Sequence, residues 1–127
     1  MSYDTEQINC EKNRIKKMKL PGNTLIVPEK LTNYLLVPRK RNDKSKWLAG
    51  AGYTPENWEM LEADLRNQIL SENADSVERT EFGQMYEIRG ILVGPNGKSL
   101  SVLTVWMTDN KTGNTRFITM SPDRKVR

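Results

Sequence analysis

The feature that most constrains this chain is a change of period near Asn73. Before it, Trp58, Leu61, Leu65 and Ile69 recur at helical spacing and form one apolar stripe. After it, apolar and polar residues alternate along residues 77–82, 85–93, 100–107 and 115–120, the period of strands. Helices first and a meander afterwards predict an α+β fold, with N-terminal helices packed on a C-terminal antiparallel sheet of about four strands.

Local punctuation supports this division. Thr54 is a helix N-cap and Pro55 takes the first helical position, so a helix is expected over 55–71. Glu56 sits in its first turn, where the helix dipole favours an acid. Pro28 opens a second helix to about Leu36, with Leu31, Tyr34 and Leu35 as packing residues, and Pro38 stops it. Asp43 caps a short helix from Lys44 to Ala51, with Gly52 at its C-terminal end. Thr24 to Val27 is a short β-type run. Gly94-Pro95-Asn96-Gly97 is a hairpin turn, because Asn-Gly tolerates positive φ. Residues 109–114, with Gly113, make a second hairpin.

At 127 residues the chain fits one domain, expected over 20–123 between a charged extension at 1–19 and a basic tail at 124–127. There is no histidine and one cysteine, Cys10, which excludes an intrachain disulfide and a Cys/His zinc site. No metal or cofactor is expected. No apolar run reaches the ~18–20 residues of a membrane span, and residues 1–19 carry no apolar leader. The sequence therefore predicts a cytoplasmic chain with no membrane partner.

The net charge of +4 conceals a polarity. Residues 11–46 hold eleven Lys/Arg against three acids, a balance of +8, whereas 56–81 hold eight acids against Arg66 and Arg79, a balance of −6. Such a distribution steers a polyanion towards one end, although many charge runs are simply solvated faces.

Three constellations bear on chemistry. Gly97-Lys98-Ser99 has the tail of a phosphate-binding loop, but the required earlier glycine is Leu92, and a strand rather than a helix is expected to follow. No nucleotide is expected to bind there. On strand 100–107, alternation puts Val102, Thr104 and Trp106 on one face and Leu103, Val105 and Met107 on the other. The second face is wholly apolar and is expected to meet the helices. The first then offers an indole for base stacking and a hydroxyl for a phosphate oxygen, unless Trp106 is the packing centre of a half-buried sheet. The third is the basic cluster Arg39, Lys40, Arg41, Lys44 and Lys46. Glu78 with Glu81, and Asp109-Asn110-Lys111, lack a second ligand set and read as strand-edge and turn residues.

A family resemblance runs through the chain. Lys30-Leu31-Thr32-Asn33-Tyr34-Leu35-Leu36-Val37-Pro38, Asn42-Asp43-Lys44-Ser45-Lys46 and Ala51-Gly52-Tyr53-Thr54-Pro55-Glu56-Asn57-Trp58 resemble a family of small bacterial domains of unknown function. The likeness continues through residues 81–86, Gly94-Pro95-Asn96-Gly97, Thr104-Val105-Trp106 and Arg116-Phe117-Ile118-Thr119 and covers about residues 18–123. Members resemble toxins of toxin–antitoxin pairs and C-terminal domains of polymorphic toxins. Their plan is similar to the metal-independent endoribonucleases that include barnase, the RelE toxins and the colicin D nuclease. The resemblance implies an endoribonuclease in which Lys44 and Lys46 neutralise phosphate charge, Thr104 orients the phosphate and Trp106 stacks on a base. Arg39, Lys40, Arg41, Tyr86, Arg89 and Arg116 would bind substrate. It implies RNA as ligand and an acidic antitoxin or immunity protein as partner. Where many members carry a His-Pro segment this chain has Arg39-Lys40-Arg41-Asn42, and the strand hydroxyl is Thr rather than Ser. Without imidazole, a lysine of depressed pKa or a tyrosine such as Tyr86 would have to act as base. The alternative is a non-catalytic module that binds RNA or a protein partner with the same basic surface.

Overall fold

The computed structural model describes residues 18–40 and 43–124. Arg41 and nearly all of the charged N-terminal extension lie outside the described residues. The elements follow the predicted order. Helix α1 (Pro28–Lys30) continues into a widened turn, Leu31–Leu35, in which the Leu36 N–H donates to the Leu31 carbonyl at 3.0 Å. Helix α2 is Ser45–Ala49. A tight turn, Pro55–Asn57, leads into α3 (Trp58–Asp64), which ends in a second widened turn, Leu65–Ile69. The strands are β1 (Asp75–Arg79), β2 (Gly83–Val93), β3 (Ser99–Asp109) and β4 (Thr115–Pro122). They form one antiparallel sheet in the order β1-β2-β3-β4.

The helical stripe does what its spacing demands. Leu61, Leu65 and Ile69 are completely buried, and Trp58 packs at the margin of the same core. Full burial of each aliphatic side chain contributes roughly 1.5–3 kcal/mol. The start of this helix is fixed by the side-chain amide of Asn57, which makes two bonds to the backbone before it. The Thr54 N–H donates to Asn57 Oδ1 at 2.7 Å, and Asn57 Nδ2 donates to the Gly52 carbonyl at 2.9 Å.

The sheet meets the helices with the face opposite to the one expected. Val102, Thr104 and Trp106 are buried against Ile88, Phe117 and Met120, whereas on the other face Leu103 and Val105 are half-exposed and Met107 alone of the three is buried. A side-chain carbon added at Gly90, on the buried face of β2, would touch Ile69 at 3.2 Å, which places the long helix on that side. The reversal has a simple cause. Trp106 Nε1 donates to Thr104 Oγ1 at 2.7 Å, and Thr104 Oγ1 donates to the Ile88 carbonyl at 2.9 Å. Each polar atom satisfies the next, so neither needs water, and a fully apolar strand face is not required for burial. The Phe117 ring meets Trp106 edge-on at 5.2 Å.

The Gly94–Gly97 turn closes the β2–β3 hairpin, with the Gly94 N–H on the Lys98 carbonyl and Gly97 at φ 89°. Strand β3 follows at once, and no helix begins there. The hairpin tip is fastened to the end of α2: Asn96 Nδ2 donates to the Gly50 carbonyl at 2.9 Å, and the Asn96 N–H reaches the Ala51 carbonyl at 3.3 Å. The two outer strands differ. Along β4, Leu25 forms a parallel bridge with Arg116, while β1 is exposed along its whole length. No described helix is long and apolar enough to cross a membrane.

Candidate nucleic-acid interface

Site construction begins at a bulge. Between Val105 and Trp106 the register of β4 shifts, so Thr119 pairs with Val105 and Phe117 with Trp106, and Ile118 is the extra residue. A bulge twists its strand and re-aims the side chains around it. Here it presents Ile118 to a cleft between β4 and the N-terminal helix. The cleft holds about 490 Å³, and Val27, Lys30, Asn33, Tyr34, Arg116 and Phe117 line it as well, together with one carboxylate, Glu29.

Tyr34 is the centre of this region. It lies in the widened turn after α1, a geometry that recurs at functional sites. The Arg39 guanidinium stands over its ring at 4.7 Å and the Lys30 ammonium at 5.9 Å from the centroid. Lys44, the residue just before α2, adds its charge to the Tyr34 phenol, and its Nζ donates to the Met120 carbonyl on β4 at 2.9 Å. None of Lys30, Arg39 and Lys44 pairs with a carboxylate among the described residues. The Tyr34 phenol is held below its ordinary pKa, chiefly by the Thr119 side chain; burial opposes this, and the charges of Lys44, Arg39 and Lys30 add to the lowering. The Thr119 oxygen is buried and makes no hydrogen bond of full geometry. We therefore take the two hydroxyls as neighbours, not as a formed bond.

The residues singled out in the sequence separate into several places. Lys44 and Arg39 belong to the Tyr34 cluster. Lys40 is exposed. Lys46 points elsewhere, lining a smaller cleft of about 240 Å³ with Pro38, Ala49, Tyr53 and Pro55. Asp43 accepts from the Ser45 hydroxyl at 2.6 Å and the Ser45 N–H at 2.9 Å, which holds its carboxyl below the ordinary range and anchors the start of α2. Thr104 and Trp106 are wholly inside the core, with no open surface beside either lysine. Tyr86 packs at the core margin, opposite Trp106 in the register. Arg89 is held by Asp123 at 2.6 Å and lies 3.6 Å from Glu87, so its charge is compensated. Arg116 lines the Tyr34 cleft, with Asp109 at 3.5 Å. No cluster of three or more metal-ligating side chains occurs among the described residues.

Sequence reasoning missed Tyr34, Lys30 and Thr119. One signal was present: Lys30 and Tyr34 are four apart on a helix whose start Pro28 marks, and such residues share a face. Thr119 had no local signal, because the bulge that brings it there depends on strand pairing.

Residues 17–124 match the model of a domain of unknown function, DUF6883. The chain belongs to this family. No curated protein and no solved structure matches it. The DUF6883 match spans both the helices and the whole sheet, so the Tyr34 cluster, the bulge and the cleft all lie within the family domain.

Proposed function

We propose that this DUF6883 domain is a non-catalytic RNA-binding module whose contact surface is the cationic cluster around Tyr34. One observation carries the reading: Lys30 and Arg39 stand over one aromatic ring beside an open cleft, Lys44 adds its charge to the same phenol, and none of the three forms an ion pair with a carboxylate among the described residues. Uncompensated cations next to a flat ring are the parts a backbone-tracking RNA site uses. The family resemblance supplies RNA as the polyanion. The acidic stretch at 56–81 repels the same ligand and so helps orient it.

The binding reading is preferred to the endoribonuclease because Thr104 and Trp106 spend their polar atoms on each other and on Ile88. A nuclease would have to rest on Tyr34 instead, as a phenolate favoured first by the Thr119 side chain and then by the neighbouring cations, which would accept the proton. The test has two parts. Anisotropy with a labelled single-stranded RNA should show binding that weakens with salt, log K against log salt falling with a slope of about −2 if three phosphates are neutralised at about −0.7 each. Arg39→Glu with Lys30→Glu should abolish binding without unfolding the domain. Unchanged binding in that variant, or none at low salt, would sink the proposal; capture of an acidic protein instead would redirect it to a protein partner. Incubation with total RNA in EDTA, followed by sequencing of new ends, should yield none. New ends that vanish in Tyr34→Phe would establish the nuclease.

A further inference from the structure

The cations around Tyr34 explain attraction to phosphate, but they do not explain the cleft beside them. Its volume of about 490 Å³ falls within the range of about 300–1,000 Å³ typical of sites that enclose a small molecule. Its walls include Val27, Tyr34 and Ile118, and Asn33, Lys30 and the Glu29 carboxylate also line it. Val27 is 39% exposed and Ile118 is half-exposed, so this apolar surface is open to a ligand. A purely electrostatic site needs no such wall. An apolar, aromatic-edged recess with an amide beside it suits a flat heterocycle, since the Asn33 side chain can both donate and accept. The same Tyr34 borders the recess and carries Arg39 and Lys30 over its ring, so the heterocycle and the phosphate sites are adjacent.

We infer that the cleft takes one unpaired nucleotide of the bound RNA, its base against Val27, Tyr34 and Ile118 and its phosphate on Lys30 and Arg39, and that the domain therefore selects single-stranded RNA over duplex. This inference rests on the RNA-binding reading above. In an A-form duplex the bases are stacked and paired, and the helix offers mainly phosphates and 2′-hydroxyls. An unpaired base can turn out and enter a recess. A duplex reaches only the cations.

The experiment compares a single-stranded RNA with a hairpin of equal phosphate number at several salt concentrations, using the full chain and the variant Val27→Ala with Ile118→Ala. That variant keeps every charge, and circular dichroism checks that it is folded. The wild-type chain should bind the single strand about tenfold tighter, the order expected when an apolar wall covers one face of a base. The variant should lose this preference while its salt slope stays the same. Photocrosslinking of 4-thiouridine RNA should label a peptide containing Tyr34 or Ile118. Equal affinity for single strand and hairpin, with a normal salt slope, would overturn the inference and leave the charge-based reading standing. A preference that survives Val27→Ala with Ile118→Ala, or a crosslink confined to another surface, would also overturn it. Binding to neither RNA would overturn both.

Discussion

Two threonine–aromatic pairs in this domain have opposite fates. Thr104 and Trp106 lie two residues apart on one strand, bond to each other and are sealed in the core. Thr119 and Tyr34 come from β4 and the first helical segment and leave the threonine oxygen without a formed bond, and the tyrosine borders a cleft. The first pair is a closed polar circuit, with donor, hydroxyl and carbonyl in series, and such a circuit rigidifies the interior. The second is an open one, surrounded by positive charge. A hydroxyl beside an aromatic ring is thus no sign of a binding surface by itself. What separates the two is whether the partners exhaust each other's hydrogen-bonding capacity.

The comparison breaks most visibly at Trp106. Trp106→Ala should destabilise the domain by about 3–5 kcal/mol, measured by urea unfolding, while the folded fraction still binds RNA. A loss below about 1 kcal/mol would mean the indole is not the core anchor that its burial implies. A smaller effect is expected for Thr104→Val, about 1–3 kcal/mol, because the indole N–H would be left buried without an acceptor. In a double-mutant cycle, Trp106→Phe should recover part of that cost, since the unsatisfied donor is then gone. Additive costs would show that the two side chains do not act as one unit.

At the open pair the sign of the result changes. Arg39→Ala should lower the salt slope of RNA binding by about 0.7 and alter stability by less than about 0.5 kcal/mol, as an exposed residue outside the core. A large stability loss would mean that Arg39 serves the fold. The smallest effects concern pH. The Tyr34 phenol titrates below its ordinary value, towards which the Thr119 side chain contributes most. As pH rises through that depressed pKa, the site gains a negative charge and RNA binding should weaken; Tyr34→Phe should remove this phase. Stability responds in the other direction. The folded chain loses this proton before the unfolded chain does, so Tyr34 contributes stability above an unfolded pKa of about 10, and that contribution is lost as pH falls through the folded value. Tyr53 opposes it. Burial first, then its bond to Asp64 at 2.6 Å, raises its phenol well above the ordinary value. Its stabilisation is present below about pH 10 and is lost above that, once the unfolded chain ionises while the folded chain does not. Unfolding free energies of Tyr34→Phe and Tyr53→Phe across alkaline pH should therefore diverge from wild type with opposite slopes.

Much of the fold was legible in the sequence because its signals are local and mutually consistent. The Thr54-Pro55 start, the stripe of Trp58, Leu61, Leu65 and Ile69, and the Asn96-Gly97 turn each act within a few residues and agree with one another. The face that β3 turns to the helices was not legible. Apolarity favours Leu103, Val105 and Met107, and only the bond between Trp106 and Thr104 makes the other face suitable for burial. The candidate site was legible in its charges and not in its centre. Arg39 and Lys44 stand out as basic residues, but Tyr34 carries the pattern of a core aromatic, and the residues that meet around it are brought together by strand pairing and the placement of α2. Lys46 illustrates the limit: two residues from Lys44 on a short helix, it faces another cleft.

The hairpin tip gives the surface around Tyr34 a distant dependant. Gly94 lies so close to the carbonyl of Ala51 that any side chain there would have to displace it. Because Gly50 and Ala51 hold the end of α2, such a displacement would travel along the helix to Lys44, whose amine is fixed to Met120. In a genetic screen for loss of RNA binding, Gly94→Ala would score alongside Arg39, although no ligand comes near it. A map of sensitive positions would then trace the scaffold that delivers Lys44 as well as the surface proposed to meet RNA. Suppressors of Gly94→Ala should arise around Gly50, Ala51 and Asn96, and not among the cations.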